Sequence, residues 1–179
     1  MDERKLPIRI PLTGTLAEEI FTRQLDDYSC GPACLATVGN IYATGKDYTF
    51  YRDAAKPDPN DGTPEGRMTD LAKKLLPFEG SGLDTYKGGV AIAHIIQDEG
   101  HYVVFLKQEG DRVLYYDPFE HELVIDKLSN VAWQSDHGDR DHWAMDFTPL
   151  PDNSIAHWVD MALPKPQPPQ FRAPPGPRP

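Results

Sequence analysis

The sequence predicts an α+β fold, because two segments show the patterns of different secondary structures. In the N-terminal third, apolar residues recur at positions i, i+1, i+4, i+7 and i+8, which is typical of a helix buried on one side: Cys34, Leu35, Val38, Ile41 and Tyr42. Further along, residues 101–107 and 111–117 are rich in β-branched and aromatic residues and flank Gln108-Glu109-Gly110. This pattern indicates a β-hairpin.

Length and composition favour one soluble globular domain. The chain has 179 residues, of which 39% are hydrophobic and 26% charged, and it is long enough to bury a sizeable core. No apolar run approaches membrane-spanning length, and residues 1–5 lack the apolar core of a secretory signal. We therefore expect a cytoplasmic protein, with export that uses no cleaved signal as the alternative. The net charge of −10 argues against nucleic acid or an anionic membrane as a partner and is compatible with a neutral or basic peptide.

The N-terminal region is expected to run from extended chain into the helix. Residues 1–14 alternate between apolar and polar residues or Pro, as in a strand, and residues 20–24 are expected to form a second short strand. Pro32 suits the first turn of a helix, where its missing N–H is not needed. Gly45 is expected to end that helix.

The middle of the chain carries weaker signals. Residues 56–66 have the composition of a loop, and their acids are one residue short of the spacing in an EF-hand, so we expect a solvated loop without calcium. A second helix is predicted over residues 67–76, and the glycines between residues 80 and 89 are expected to mark turns. For residues 90–96, periodicity does not decide between a buried strand and a short helix.

The hairpin makes a geometric prediction. Three-residue hairpin loops commonly place Gly at their third position, and Gly110 fits this rule. Such a loop pairs Phe105 with Val113 and His101 with Asp117. Residues directly opposite on antiparallel strands point to the same face, with Cβ atoms about 4.5–5.5 Å apart. The turn therefore predicts that the imidazole lies beside the carboxylate, whereas a two-residue loop would put the two side chains on opposite faces.

We expect one domain over residues 1–160 and a Pro-rich tail over residues 161–179. Residues 164–179 contain eight prolines in sixteen positions, a composition that favours extended polyproline conformation over a packed core. Two P-x-x-P spacings leave two alternatives open. The tail either docks to an aromatic groove of a partner protein or, as we prefer, is disordered or lies on the surface.

Four residues form a candidate catalytic set. Cys30 lies just before the predicted helix, where the helix dipole and a neighbouring imidazolium would stabilise the thiolate that attacks a carbonyl. His101 would hold the ion pair and protonate the leaving amine, and Asp117 would orient the imidazole and stabilise its charged form. The oxyanion needs donors, which the Cys30 N–H and the Gln24 side-chain amide can supply. Each residue alone has a structural explanation, and the combination favours catalysis.

No metal or other cofactor is expected. Acids and histidines cluster between residues 136 and 142, but their spacing matches no standard ligand set, so we interpret them as an acidic loop. Cys30 and Cys34 are one helical turn apart, a poor geometry for a disulfide, and we expect a reactive Cys30 beside a packed Cys34. Asp26 and Asp27 are expected to cap or line the entrance of the site. Three histidines have no evident partner in the sequence: His94, His121 and His157.

Together these motifs resemble the papain-like cysteine peptidases that remove double-glycine leaders from bacteriocins. The resemblance spans about residues 20 to 120, and its matching pieces are Gln24 six positions before Cys30, the run Cys30-Gly-Pro-Ala-Cys-Leu35, Gly100-His101-Tyr-Val-Val-Phe, and Tyr116-Asp117-Pro118. It implies a papain-like fold in which a central N-terminal helix packs on an antiparallel sheet. It also implies a triad of Cys30, His101 and Asp117, with Gln24 as oxyanion donor.

We therefore expect a thiol hydrolase that cleaves a peptide or amide bond of a peptide or protein substrate through a thioester acyl-enzyme. Two alternatives stay open. One is an acyltransferase or transamidase, in which an amine rather than water resolves the thioester. The other is a peptide-binding module without turnover, whose Pro-rich tail recruits a partner.

Overall fold

The computed structural model describes residues 5–13, 15–97 and 99–163. The prediction of a polyproline tail at residues 164–179 lies outside the described residues. Within those that are described, no helix has both the length and the apolar character needed to cross a membrane.

The described chain forms five α-helices and nine strands in a mixed order. The helices are α1 (Thr15–Ile20), α2 (Cys30–Ile41), α3 (Tyr48–Ala55), α4 (Glu65–Leu75) and α5 (Ile155–Ala162). The strands are β1 (Ile8–Pro11), β2 (Phe78–Leu83), β3 (Ala91–Gln97), β4 (Glu99–Glu109), β5 (Arg112–Asp117), β6 (Glu122–Lys127), β7 (Gln134–Ser135), β8 (Gly138–Asp139) and β9 (Trp143–Phe147). A single 3₁₀ turn covers Leu128–Asn130.

Seven strands make one antiparallel sheet in the order β1-β6-β5-β4-β3-β9-β2, and β7 pairs only with β8. Helix α2 packs on the central strand β4. This is the predicted α+β arrangement of an N-terminal helix on an antiparallel sheet.

Strand β4 divides the core into two clusters, because successive side chains of a strand point to opposite faces. Tyr102 and Val104 belong to the larger cluster, which includes the buried face of α2. Val103 and Phe105 belong to a smaller cluster around Trp133. Both faces of the strand are therefore buried, and β4 is fixed firmly at the centre of the molecule.

Helix α2 begins two residues before the predicted start and ends at Ile41, four residues before Gly45. Its first ten residues are all buried, so the helix lies in the core with more than one face covered. Cys34 is fully buried there with a free thiol, as the sequence predicted for the packed cysteine.

The predicted strand at residues 20–24 is wrong, because α1 occupies the chain up to Ile20 and the following residues form no strand. Hydrogen bonds from other elements hold this segment instead. The Thr22 N–H donates to the Thr37 hydroxyl of α2 (3.0 Å), and the Gln24 N–H donates to the Pro118 carbonyl after β5 (3.1 Å). These bonds tie the segment to both the helix and the sheet.

Eight elements carry no signal in the sequence analysis, namely α1, α3, α5, β2, β6, β7, β8 and β9. The glycines at 80 and 82, expected in turns, lie within β2, while the ambiguous segment 90–96 is resolved as strand β3. Helix α5 extends two residues past the expected domain boundary at 160. Its Trp158 is buried against Phe21, with ring centroids 6.0 Å apart, so this helix packs on the same core as α2.

The hairpin between β4 and β5 differs from the predicted one at its turn. Glu109 pairs with Arg112, so the loop consists of two residues, Gly110 and Asp111, in place of the predicted three. Gly110 has a φ of 61°, in the left-handed region that glycine adopts without steric cost. The predicted direct pairing of His101 with Asp117 is therefore wrong.

A β-bulge in β4 nevertheless puts the side chains of His101 and Asp117 on the same face of the sheet. The register shifts by one residue at Leu106, which is an extra residue in this strand. Beyond the bulge, the register places Asp117 across from Val103 and makes His101 its diagonal neighbour on the same face. A two-residue turn without the bulge would have put the imidazole and the carboxylate on opposite faces.

Replacing Gly110 by Ala is expected to lower the free energy of unfolding, because the left-handed conformation costs an L side chain about 1–2 kcal/mol. Gly66 in α4 provides the matched control, since its φ is not positive and an added Cβ meets nothing within 4 Å. Gly66→Ala should leave stability unchanged or raise it by up to about 1 kcal/mol. Urea unfolding of both variants measures the difference, and equal midpoints would contradict the assigned turn.

Candidate active site

Cys30 is the first residue of α2 and is only 6% exposed. The side chain of Ser29, at the N-cap position, makes no capping bond and instead accepts a hydrogen bond from the Tyr48 hydroxyl (2.7 Å). Among the described residues, no acceptor bonds the Cys30 N–H. The start of the helix therefore presents a thiol together with an unpaired backbone donor.

His101 and Asp117 form a buried hydrogen-bonded pair. His101 Nε2 lies 2.9 Å from Asp117 Oδ1, and the two residues are 7% and 2% exposed. The same carboxylate oxygen accepts the N–H of Phe119 (2.9 Å) in the turn after β5. The carboxylate is thus fixed by its own turn, and it fixes the orientation of the imidazole.

The electrostatics of this pair favour the charged imidazole. Burial lowers the pKa of His101, but the hydrogen bond with Asp117 and the interactions with Cys30 outweigh it and raise the pKa from 6.5 to about 9. Burial raises the pKa of Asp117, and the bond with His101 together with the backbone N–H groups lowers it below its ordinary value. By contrast, burial raises the pKa of Cys34 well above its ordinary value, which keeps that thiol protonated.

Gln24 lies beside His101 but makes no bond to Cys30. Its amide nitrogen donates one hydrogen bond to the Asp26 carbonyl (2.7 Å), which leaves one amide hydrogen free. The residue is 7% exposed, and its Oε1 has no partner among the described residues. The structure therefore brings Cys30, His101 and Asp117 together and places Gln24 at the edge of the same cleft.

Two cavities make up the cleft. One, of about 350 Å³, is lined by Cys30, and the other, of about 310 Å³, is lined by His101 and Gln24. They share the residues Asp27, Glu99 and Gly100. The sulfur and the imidazole thus open into adjoining halves of one groove.

A second histidine–carboxylate pair lies in the cavity beside Cys30, and the sequence analysis missed it. His94 Nδ1 is 2.8 Å from Glu65 Oε1, and the Gln134 amide nitrogen is 2.7 Å from His94 Nε2. His94, which has no evident partner in the sequence, therefore has two in the structure. No local spacing could have revealed these contacts, because Glu65 and Gln134 are 29 and 40 residues away along the chain.

Glu65, His94 and Asp136 offer three ligand atoms within 4.8 Å of one another, as a metal site would require. However, the Asp136 N–H donates to Glu65 (2.9 Å), the Glu65 N–H donates to Asp136 (2.8 Å), and both His94 nitrogens are engaged. A cation would have to displace these bonds. The donor set therefore fits a hydrogen-bonded brace between α4, β3 and the end of β7 better than a metal centre.

The other candidates from the sequence have varied surroundings. Asp26 forms an ion pair with Arg52 (2.8 Å), and Asp27 lines the entrance of both cavities, as expected. His142 stacks on Trp133 with ring centroids 5.0 Å apart, away from Asp136. In a further correction to the sequence analysis, His121 has a partner, because the Tyr116 hydroxyl is 2.8 Å from its Nδ1.

Comparison with known proteins identifies the family. The model of the peptidase C39 family matches residues 18–130, which is more than half of the chain and includes Gln24, Cys30, His101 and Asp117. The chain belongs to the peptidase C39 family. It is a cysteine peptidase domain, so the class of enzyme predicted from the sequence is confirmed.

Two solved structures show the same fold. The peptidase domain of Streptococcus ComA, a bifunctional ABC transporter of a quorum-sensing pathway, is 22% identical with a TM-score of 0.56, over 74% of this chain and 99% of that domain. A double-glycine motif protease from an AMS/PCAT transporter, solved with its leader peptide, is 21% identical with a TM-score of 0.57, over 80% of this chain and 99% of that one. No curated protein matches the chain.

Replacing Asp117 by Asn should move the alkaline limb of peptidase activity to lower pH. His101 has a folded pKa of about 9 against an ordinary 6.5, so the stabilisation of its charged form is fully present below about pH 6.5 and is lost as the pH rises through about 9. Without the carboxylate, the pKa of His101 falls, and the charged imidazole that pairs with the thiol is lost at a lower pH.

The measurements are the pH dependence of kcat/KM and an NMR titration of the His101 ring in both proteins. His157→Gln, which changes an exposed histidine on α5, provides the control. An alkaline limb at the same pH in Asp117→Asn as in the unchanged protein would contradict the assigned pairing.

Proposed function

We propose that the Cys30 thiolate of this C39 domain cleaves a peptide bond with His101, Asp117 and Gln24 as its partners. The observation that carries the proposal is the buried His101–Asp117 bond, whose imidazole interacts with the thiol at the start of α2. An oriented base next to a nucleophile is the arrangement that thiol acyl transfer needs. The raised pKa of His101 supports a charged imidazolium beside the sulfur near neutral pH.

The ring nitrogens have separate roles in this proposal. Nε2 is bonded to Asp117, so Nδ1 faces the sulfur of Cys30. The thiolate attacks the substrate carbonyl carbon to form a tetrahedral oxyanion, and His101 then gives its proton to the leaving amine. Water attacks the resulting thioester with His101 as the base, and the carboxylic acid product leaves with the thiol regenerated.

The oxyanion is held by the Cys30 N–H and by the Gln24 amide. The backbone donor has no partner among the described residues, and one hydrogen of the Gln24 amide is free. The backbone N–H of Gln24 donates to the Pro118 carbonyl, so the residue that carries the side-chain donor is tied to the turn that follows Asp117. Both donors are thus attached to segments that also hold the nucleophile and the carboxylate that orients the base.

The chemistry assigns the two cavities to the two sides of the substrate. His101 protonates the leaving amine, so the cavity that it lines receives the residues after the scissile bond. The cavity lined by Cys30 receives the acyl side. We infer that the acyl side ends in a double glycine, because the solved relative with the AMS/PCAT origin is a double-glycine motif protease bound to a leader peptide.

Cys30→Ala is expected to abolish cleavage of a synthetic peptide with Gly-Gly before the scissile bond, by at least about 10⁴-fold, as for other triads. Cys34→Ala is the matched control, because it removes a thiol from the same helix at a fully buried position. It should keep most of the activity. Mass spectrometry of the products locates the cut, and a peptide with Ala-Ala at the same positions tests the glycine requirement.

Loss of activity in Cys34→Ala with retention in Cys30→Ala would refute the assigned nucleophile. Equal cleavage of the Gly-Gly and Ala-Ala peptides would refute the double-glycine specificity while leaving the thiol mechanism in place. Absence of cleavage with every peptide would contradict the proposed double-glycine substrate, while the membership of the C39 family would stand.

Gln24→Ala and Gln24→Glu should each lower kcat by about 10²–10³-fold with little change in KM, because both remove the amide donor that acts only on the oxyanion. The bond from Gln24 to the Asp26 carbonyl gives the residue a structural role as well, so thermal unfolding is measured in parallel. A fall in Tm without a matching fall in single-turnover rate would assign Gln24 to structure alone.

A further inference from the structure

We infer that the cleft selects peptides with a lysine or arginine close to the scissile bond. This inference rests on the proposed function, since it names the charge of the substrate that the same cleft accepts. Its basis is the set of carboxylates around the two cavities and the polar atoms that lack partners there.

Five acidic residues line the cleft. The cavity beside Cys30 is lined by Asp27, Asp61, Glu99 and Asp136, and the cavity beside His101 by Asp27, Glu99 and Glu120. Among the described residues that line either cavity, there is no lysine and no arginine. Apart from the His101 imidazolium, the charged groups of the lining are therefore all acidic, and low-dielectric walls around such a cleft concentrate its field on a bound ligand.

Four of these carboxylates are free of ion pairs within the described part of the chain. Asp27, Asp61, Glu99 and Glu120 take part in none of its salt bridges. Asp136 is partly engaged, since its side chain accepts the Glu65 N–H and lies 3.9 Å from His94. Within the described residues, most carboxylates of the cleft thus have no ion-pair partner, and their charge is available to a cationic ligand.

Two buried polar atoms point independently to a bound chain in the same place. Gln24 Oε1 and Thr63 Oγ1 have no hydrogen-bond partner among the described residues, and each belongs to a cavity-lining residue that is more than nine-tenths buried. Buried polar groups are nearly always paired in folded proteins. Gln24 Oε1 can only accept a hydrogen bond, so the ligand that completes it supplies an N–H donor, as a peptide backbone or a basic side chain does. The Thr63 hydroxyl can donate or accept, so it can pair with either an N–H or a carbonyl group of a bound peptide.

The two cavities make separate predictions about position. Asp61 and Asp136 line only the half that receives the acyl side of the substrate, and Glu120 lines only the half that receives the leaving side. Asp27 and Glu99 line both halves and act on charges on either side. A basic residue upstream of the scissile bond should therefore depend on Asp61, and one downstream should depend on Glu120.

The test uses three peptides that carry Lys, Gln or Glu immediately before a Gly-Gly cleavage site, and three with the same residues two positions after the cut. At low ionic strength, kcat/KM should fall by about tenfold from Lys to Gln and further to Glu, and the difference should shrink at 0.5 M salt because exposed charges are screened. Asp61→Asn should narrow the upstream Lys-over-Gln ratio by about two- to threefold, and Glu120→Gln the downstream ratio. Asp70→Asn, at an exposed position on α4 outside both cavities, should change neither ratio.

A second readout separates this inference from the proposed function. Fluorescence anisotropy with labelled peptides and the Cys30→Ala variant measures binding without turnover. Tighter binding of the Lys peptides supports the inference whether or not cleavage is observed. Equal binding and equal kcat/KM across the Lys, Gln and Glu peptides, or a preference for Glu, would overturn it.

Discussion

The arrangement of the site depends on the hydrogen bond between His101 and Asp117, and that bond depends on one irregularity in a strand. The tight turn at Gly110 sets a register in which the two side chains would point to opposite faces of the sheet. The bulge at Leu106 adds one residue and reverses this parity for everything beyond it. Leu106 itself is buried in the main core, so packing holds the bulge in place. A core residue thereby determines where a polar side chain near the cleft points.

Helix α2 combines a buried body with an unsatisfied start. An N-capping side chain contributes about 0.5–2 kcal/mol to a helix, yet the Ser29 hydroxyl is engaged by Tyr48 and caps nothing. The N–H of Cys30, in the first turn, also has no partner among the described residues, and it lies where an anion would be stabilised by the helix dipole. A helix end without its stabilising cap is typical of functional sites, where a local structural preference is not met and packing elsewhere in the protein compensates.

Sequence patterns predicted what neighbouring residues determine and failed where distant residues decide. The stripe in α2 and the existence of the hairpin follow from local periodicity and turn chemistry. The closeness of His101 to Asp117 was predicted from a three-residue loop, but the structure achieves it with a two-residue loop and a bulge. Neither the bulge at Leu106 nor the path of residues 20–24 could be predicted, because tertiary packing and bonds to α2 and Pro118 fix them. The brace around His94 joins segments far apart in the chain and has no local signature.

Two histidines reach the same end of the sheet, and their bonding explains why only one of them suits proton transfer. His94 is held at both ring nitrogens, by Glu65 at Nδ1 and by the amide of Gln134 at Nε2. Either nitrogen would have to break a buried hydrogen bond before it could exchange a proton with a substrate, and such groups are costly to leave unpaired. Among the described residues, His101 is bonded to Asp117 through Nε2, which leaves Nδ1 available to the thiol with which the imidazole interacts. The bonds of His94 thus hold one side of the cleft in place, whereas His101 has a nitrogen that can exchange a proton with the substrate.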